Sequence, residues 1–214
     1  MTLRICVPIK YKTLAPILRD LTAAQKKADL LEIWFDEINE LTPQKIKQIT
    51  KKINKPLIYK HTNEKNLETV LAFKPDFIDI DLKKSNEITN KIRKLSPDTK
   101  IIISYHNFKK TPSKTDLNKL IKTIKSKKPD LLKIATYANK FTDSILMLSL
   151  LSEQNAKKDK SNLIFLCMGR EGKITRLTGH LFGNYLMYFP LHKRTKTASG
   201  QITLDKIWDL KSEL

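Results

Sequence analysis

The chain has 214 residues, 40% hydrophobic and 29% charged, a balance that excludes global disorder and suffices to bury a sizeable core. A formal net charge of +19 raises the question of a nucleic-acid partner. Of the 41 basic residues 35 are lysines spread over nearly every predicted helix, with no arginine cluster and no interleaved aromatics, so specific nucleic-acid binding is not expected.

Residues 3–9 read as the first strand, and charge and proline interrupt residues 1–10 before an apolar signal segment can form. No later stretch approaches about 18 consecutive apolar residues, so no membrane attachment is expected and the cytoplasm is the expected location. A helix follows over 14–26, its apolar residues at helical spacing. Next come a strand over 30–35 and a helix through residue 52, with Thr42 as N-cap and Pro43 in its first turn. The alternation continues with strand 56–60, helix 67–73, strand 77–80, helix 87–95 and strand 100–105. Helix 115–127, strand 131–135, helix 141–152 and strand 162–167 come after it. The last unit has helix 172–181, strand 185–189, a loop over 193–201 and a closing helix over 203–210. Cys6 and Cys167 fall in apolar strand-like runs and read as buried free thiols rather than as a disulfide or metal site.

Eight strands alternating with eight helices, several strands being continuous apolar runs, indicate a parallel sheet closed into a (β/α)8 TIM barrel, one domain over residues 1–214. An open doubly wound sheet is the alternative, but no G-x-G-x-x-G fingerprint follows the first strand and the chain has only 5 glycines. Barrel enzymes carry their chemistry at the carboxyl ends of the strands. This layout places Glu32, Asp36, His61, Asp79, His106, Lys133 and Arg170 near that rim.

Lys133 interrupts the apolar run Asp130-Leu131-Leu132-Lys133-Ile134-Ala135, where a buried strand otherwise wants only hydrocarbon. A lysine in a dry pocket loses part of its preference for charge, and its neutral amine can attack a carbonyl carbon to form a Schiff base. One strand earlier, Ile101 to Phe108 delivers His106, a natural proton shuttle. Either residue alone has a plainer explanation, a lysine snorkelling to the barrel rim or a histidine capping backbone groups. Their arrival at the carboxyl ends of successive strands favours chemistry.

Several motifs occur in succession: Ile5-Cys6-Val7-Pro8-Ile9, Glu32-x-x-x-Asp36, Tyr105-His106-Asn107-Phe108 followed by Thr111-Pro112, and Lys133-Ile134-Ala135. Met168-Gly169-Arg170-Glu171-Gly172 runs on through Arg176-Leu177, and Ala198-Ser199-Gly200-Gln201-Ile202 closes the series. Together they resemble the type I 3-dehydroquinate dehydratases of the shikimate pathway, over essentially the whole chain. The resemblance implies a (β/α)8 barrel that is commonly a homodimer, needs no metal or cofactor, and dehydrates the small molecule 3-dehydroquinate to 3-dehydroshikimate. It assigns Lys133 to the Schiff base and His106 to proton transfer, and it implies that the pocket lowers the affinity of Lys133 for its proton. Arg176, Gln201 and Thr197 match the residues that hold the substrate carboxylate, Thr197 standing where the family usually has serine. Glu32 matches a substrate-binding glutamate.

Departures cluster at the hydroxyl end of the substrate. Trp34 and Thr62 replace arginines, Asn66 a glutamate, and Asn107 an aspartate, with Lys60 and His61 as possible replacements. A barrel of the same descent with a shifted keto-acid substrate or weak activity is the second reading. A basic binding protein without catalysis is the third, and it has no use for the Lys133 and His106 pair.

Overall fold

Runs of Ile, Leu and Val that are apolar on both faces become parallel strands when helices cover one face and a closed barrel buries the other. The computed structural model describes residues 3–157 and 162–211. Its strands are β1 (Ile5–Ile9), β2 (Leu30–Ile33), β3 (Leu57–Lys60), β4 (Phe77–Asp81), β5 (Lys100–Asn107), β6 (Leu131–Tyr137), β7 (Asn162–Met168) and β8 (Met187–Tyr188). Between and after them run α1 (Leu14–Gln25), α2 (Pro43–Thr50), α3 (Leu67–Leu71), α4 (Ser85–Leu95), α5 (Lys114–Lys125), α6 (Phe141–Asn155), α7 (Lys173–Thr178) and α8 (Leu204–Lys211). All pairings are parallel, in the order β7-β6-β5-β4-β3-β2-β1-β8, a TIM barrel closed except for one seam.

An inner layer with Cys6, Ile58, Ile102 and Ile164 fills the barrel, while a larger layer packs the helices on the outer face of the sheet. Thr42 caps α2 as expected, its hydroxyl accepting from the Lys45 N–H at 3.3 Å. Several expected boundaries move. Strand β2 stops at Ile33 because residues Phe35–Glu37 coil into a 3-10 turn, whereas β5 and β6 each run two residues further, to Asn107 and Tyr137. The helix expected over 172–181 breaks at Gly179 into a 3-10 turn, Gly179–Phe182, and β8 shrinks to two residues.

A short repeat organises the amino-terminal ends of the strands. Lys27-Ala28-Asp29-Leu30, Lys74-Pro75-Asp76-Phe77 and Lys128-Pro129-Asp130-Leu131 lead into β2, β4 and β6. Each aspartate accepts a backbone N–H of the preceding strand: Ile5 at 2.8 Å, Leu57 at 2.8 Å and Ile101 at 2.7 Å. A buried N–H left without an acceptor costs on the order of 1–3 kcal/mol, so these three carboxylates help to fix the strand register.

Ahead of β8 the same place is taken by Asn184, which both accepts from the Phe165 N–H and donates to the Phe165 carbonyl, each at 2.7 Å. An ionised carboxylate, which only accepts, could not do both. β7 and β8 are not laddered to each other, and Asn184 stands in for the missing strand. Gly179 makes this possible, because a Cβ there would lie 2.5 Å from the Asn184 amide nitrogen. Further along the same edge, Tyr185 N–H bonds the Leu163 carbonyl, Thr175 accepts the Cys167 N–H at 2.8 Å, and Arg176 Nε donates to the Cys167 carbonyl at 3.1 Å. Backbone groups of β7 that a wider β8 would have paired are thus satisfied one by one.

Candidate active site

A cavity of about 420 Å³ opens at the carboxyl ends of the strands. Glu32, His106, Lys133, Arg176, Thr197 and Gln201 all line it. Lys133, only 6% exposed, donates from Nζ to Asp79 Oδ2 at 2.7 Å and to the Tyr188 hydroxyl at 3.0 Å, with Glu32 Oε2 at 3.5 Å. Asp79 is fully buried, and its other oxygen accepts from Lys60 Nζ at 2.8 Å and Ser104 Oγ at 2.6 Å. The register explains much of the convergence: Lys60 lies opposite Asp79, Ser104 lies opposite Lys133, and Ser104 follows by two residues, on the same face of β5, the Ile102 that lies opposite Asp79.

Burial alone would raise the Asp79 carboxyl, but the ammonium groups of Lys133 and Lys60 outweigh it and hold Asp79 below the usual carboxylate range. The expectation that the pocket lowers Lys133 is corrected. Desolvation does act in that direction, but the carboxylates of Asp79 and Glu32 outweigh it, and Lys133 stands above the ordinary lysine value. His106 behaves oppositely. Burial, together with the positive charges of Lys60 and Lys133, brings it down to about 3, so it is an uncharged base at neutral pH. Its ring stacks on Phe108, centroids 6.0 Å apart and planes within 11°.

Arg176 is held on the opposite wall by the short helix α7. It is 2% exposed, and among the described residues no carboxylate lies within ion-pair distance of it. Burial lowers its guanidinium to about 10. The loop after β8 covers this side. Gln201 Oε1 accepts the Thr197 and Ala198 N–H groups at 2.7 and 3.0 Å, while its Nε2 donates to the Thr197 hydroxyl at 3.2 Å. Gly200, at φ +76°, lets the loop lie against β7, since a Cβ there would meet the Gly169 carbonyl at 2.1 Å.

Of the other residues expected near the rim, Arg170 points to solvent with its side chain 91% exposed. Asp36 is buried beside β3 instead, accepting from Tyr59, from the Thr62 and Asn63 N–H groups and from Asn66. Lys60, expected only as a possible replacement at the hydroxyl end, and Tyr188, not expected at all, join the site around Lys133 and Asp79. The first carried a readable signal, a lysine ending the apolar run Leu57-Ile58-Tyr59; nothing local marks the second. Among the described residues no group of three or more His, Cys, Asp or Glu is placed to hold a metal ion. No helix there is long and apolar enough to cross a membrane.

The model of the type I 3-dehydroquinases matches residues 5–211. The chain belongs to the type I 3-dehydroquinase family. It is 34% identical to the 3-dehydroquinate dehydratase of Coxiella burnetii over 97% of this chain and 92% of that one. To the 3-dehydroquinate dehydratase of Methanocaldococcus jannaschii it is 30% identical, over 96% and 98%. The crystal structure of the Geobacillus kaustophilus 3-dehydroquinate dehydratase covers 100% of this chain with 91% of its own, at a TM-score of 0.88 and 22% identity, a likeness of fold. As a type I 3-dehydroquinase the chain is a hydro-lyase.

The residues that the resemblance singled out as departures have local partners in the structure. Trp34 Nε1 donates to Glu32 Oε1 at 3.0 Å, and Lys10 lies over its ring at 4.2 Å. Thr62 and Asn66 both bond Asp36 and thereby shape the β3–α3 loop of this 3-dehydroquinase. Lys60 is turned to Asp79, while His61 lines the cavity with Nδ1 2.9 Å from the Tyr59 hydroxyl.

Proposed function

We propose that the chain dehydrates 3-dehydroquinate to 3-dehydroshikimate through an imine on Lys133. The observation that carries this reading is one cavity containing a buried amine, an uncharged imidazole and a guanidinium with no carboxylate partner among the described residues. Arg176 would take the substrate carboxylate by two parallel hydrogen bonds, with Thr197 and Gln201 closing over it. Glu32 Oε2, buried and 3.5 Å from Lys133 Nζ, closes no hydrogen bond among the described residues and would accept from a substrate hydroxyl.

Lys133 gives up a proton, its Nζ adds to the ketone carbon, and the ketone oxygen leaves as water, producing a protonated imine. The imine draws electrons from the neighbouring carbon, His106 removes a proton there, and the electron pair moves to nitrogen as an enamine. Return of that pair expels the hydroxyl one carbon further on, which takes the proton from His106 and departs as a second water. Hydrolysis of the conjugated imine consumes one water and frees Lys133, so the net loss is one water.

Incubation with 3-dehydroquinate should produce the ultraviolet absorbance of the conjugated product. His106→Ala should lower turnover by roughly 100-fold to 10,000-fold while imine still forms. An unchanged rate in that variant would remove His106 from the mechanism. The second reading, a shifted keto acid, draws on Trp34 filling a position where the family has arginine. It predicts an imine from another keto acid and none from 3-dehydroquinate.

Homodimer formation is part of the same proposal. Residues 141–155 and 177–191 contain no lysine or arginine in a chain of net charge +19. They expose Phe141, Ile145, Leu181 and Phe182 on α6 and the adjoining 3-10 turn. Two such chains repel each other over most of their surfaces and least across this face. Sedimentation equilibrium should give twice the mass of the chain, and Ile145→Lys should return it to the monomer value. A monomeric wild type would refute the pairing.

A further inference from the structure

We propose that Lys60 is a positioning residue for the imine chemistry, dividing the Asp79 carboxylate between two ammonium groups so that Lys133 is released to meet a carbonyl. The inference rests on the Lys133 imine reading. Each oxygen of Asp79 is separately assigned: Oδ2 accepts from Lys133 at 2.7 Å, while Oδ1 accepts from Lys60 at 2.8 Å and from Ser104 at 2.6 Å. Lys60 is itself buried and lines the cavity. Its Nζ is also within 3.3 Å of Ser104 Oγ, so its position is set from β4 and β5 together.

A single carboxylate facing a single lysine in a dry site holds that lysine charged, and a charged lysine does not attack a ketone. A second ammonium on the same carboxylate weakens that hold in two ways, by taking part of the negative charge and by repelling the first ammonium. Among the described residues, the titratable groups that face Lys133 or its partner Asp79 are Cys6 from β1, Glu32 from β2, Lys60 from β3, His106 from β5 and Tyr188 from β8. Burial raises both the Cys6 thiol and the Tyr188 hydroxyl well above their ordinary values, so neither supplies charge at neutral pH. Among these described groups Lys60 is therefore the one cation besides Lys133, and its charge also helps to keep His106 unprotonated.

The sign of the effect follows. Removing the Lys60 charge leaves Lys133 holding its proton more tightly and lets His106 gain one at higher pH, and both changes deplete the reactive forms from the acid side. In Lys60→Met the ascending limb of kcat/KM against pH should move up by about one unit. At neutral pH that is roughly a tenfold loss, regained in alkaline solution. Lys60→Gln, which keeps a hydrogen bond to Asp79 without the charge, should shift the limb in the same direction and serves if the methionine variant does not fold. Lys60→Arg, which keeps the charge, should retain the wild-type limb.

A rate lowered equally at every pH, a raised KM with an unmoved limb, or a borohydride adduct mapped to Lys60 would each overturn the proposal. Failure of the underlying reading looks different: wild-type protein treated with 3-dehydroquinate and borohydride would then carry no adduct on Lys133, whatever the Lys60 variants do.

Discussion

Borohydride added to the protein during turnover of 3-dehydroquinate is expected to leave a stable secondary amine on Lys133, and Lys133→Ala is expected to show neither adduct nor turnover. Loss of the group that forms the covalent intermediate should lower kcat by roughly 10⁴-fold to 10⁶-fold, as for residues that act as one catalytic unit. The fold should survive the change. Asp79 keeps Lys60 and Ser104 as partners, so the variant does not leave an isolated buried charge, and its loss of stability should remain below the ~3–5 kcal/mol typical of a broken buried pair. Peptide mapping decides the first point and urea unfolding the second. An alanine variant that dehydrates at the wild-type rate would sink the imine mechanism.

Replacing Arg176 should give opposite effects on binding and on stability. A charge-assisted hydrogen bond contributes on the order of 1.5–3 kcal/mol, so Arg176→Met should raise KM for the substrate by roughly tenfold to 100-fold per bond lost. Arg176→Lys should recover little, because a point charge cannot reproduce two parallel bonds. Without ligand, however, a guanidinium with no carboxylate partner is a charge kept out of water at a cost. Methionine of similar length relieves that cost, and the apo variant is expected to melt above the wild type once the lost Cys167 carbonyl bond is offset. A variant that is less stable yet binds substrate normally would place Arg176 in the scaffold alone.

The barrel was legible because burial on both faces leaves strands as unbroken apolar runs, and Lys133 stood out against that background as an ammonium where hydrocarbon belongs. Its charge state was not. Sequence places Asp79 and Glu32 on other strands, and only the register brings their carboxylates within 2.7 and 3.5 Å of Nζ, reversing the effect expected from burial alone. Lys60 offered the same signal as Lys133 and was read only as a possible substitute at the hydroxyl end. Its partner lies 19 residues away, and a strand-end lysine can equally well reach solvent. Asp36 was misplaced for a different reason: a carboxylate after a strand reads as a rim group, and the N–H groups that turn it inward come from a loop 26 residues on. The three aspartates preceding β2, β4 and β6 share a Lys-x-Asp-apolar pattern, but the N–H groups that donate to them belong to the strand before, which sequence alone does not place beside them.

With the carboxylate held as proposed above, the unladdered junction of β7 and β8 would tie affinity for an anion to the integrity of the whole chain. Arg176 grips the last part of β7, while Thr197 and Gln201 belong to the segment that follows β8. An anion bonded to all three acts as a clasp between the two ends of the sheet. By mass action, a ligand at about 100 times its dissociation constant adds roughly 2.7 kcal/mol to the closed form. That increment would be applied where no strand ladder joins the two ends of the sheet. The supply of substrate would then govern how long an idle molecule survives proteolysis as well as how fast a busy one works.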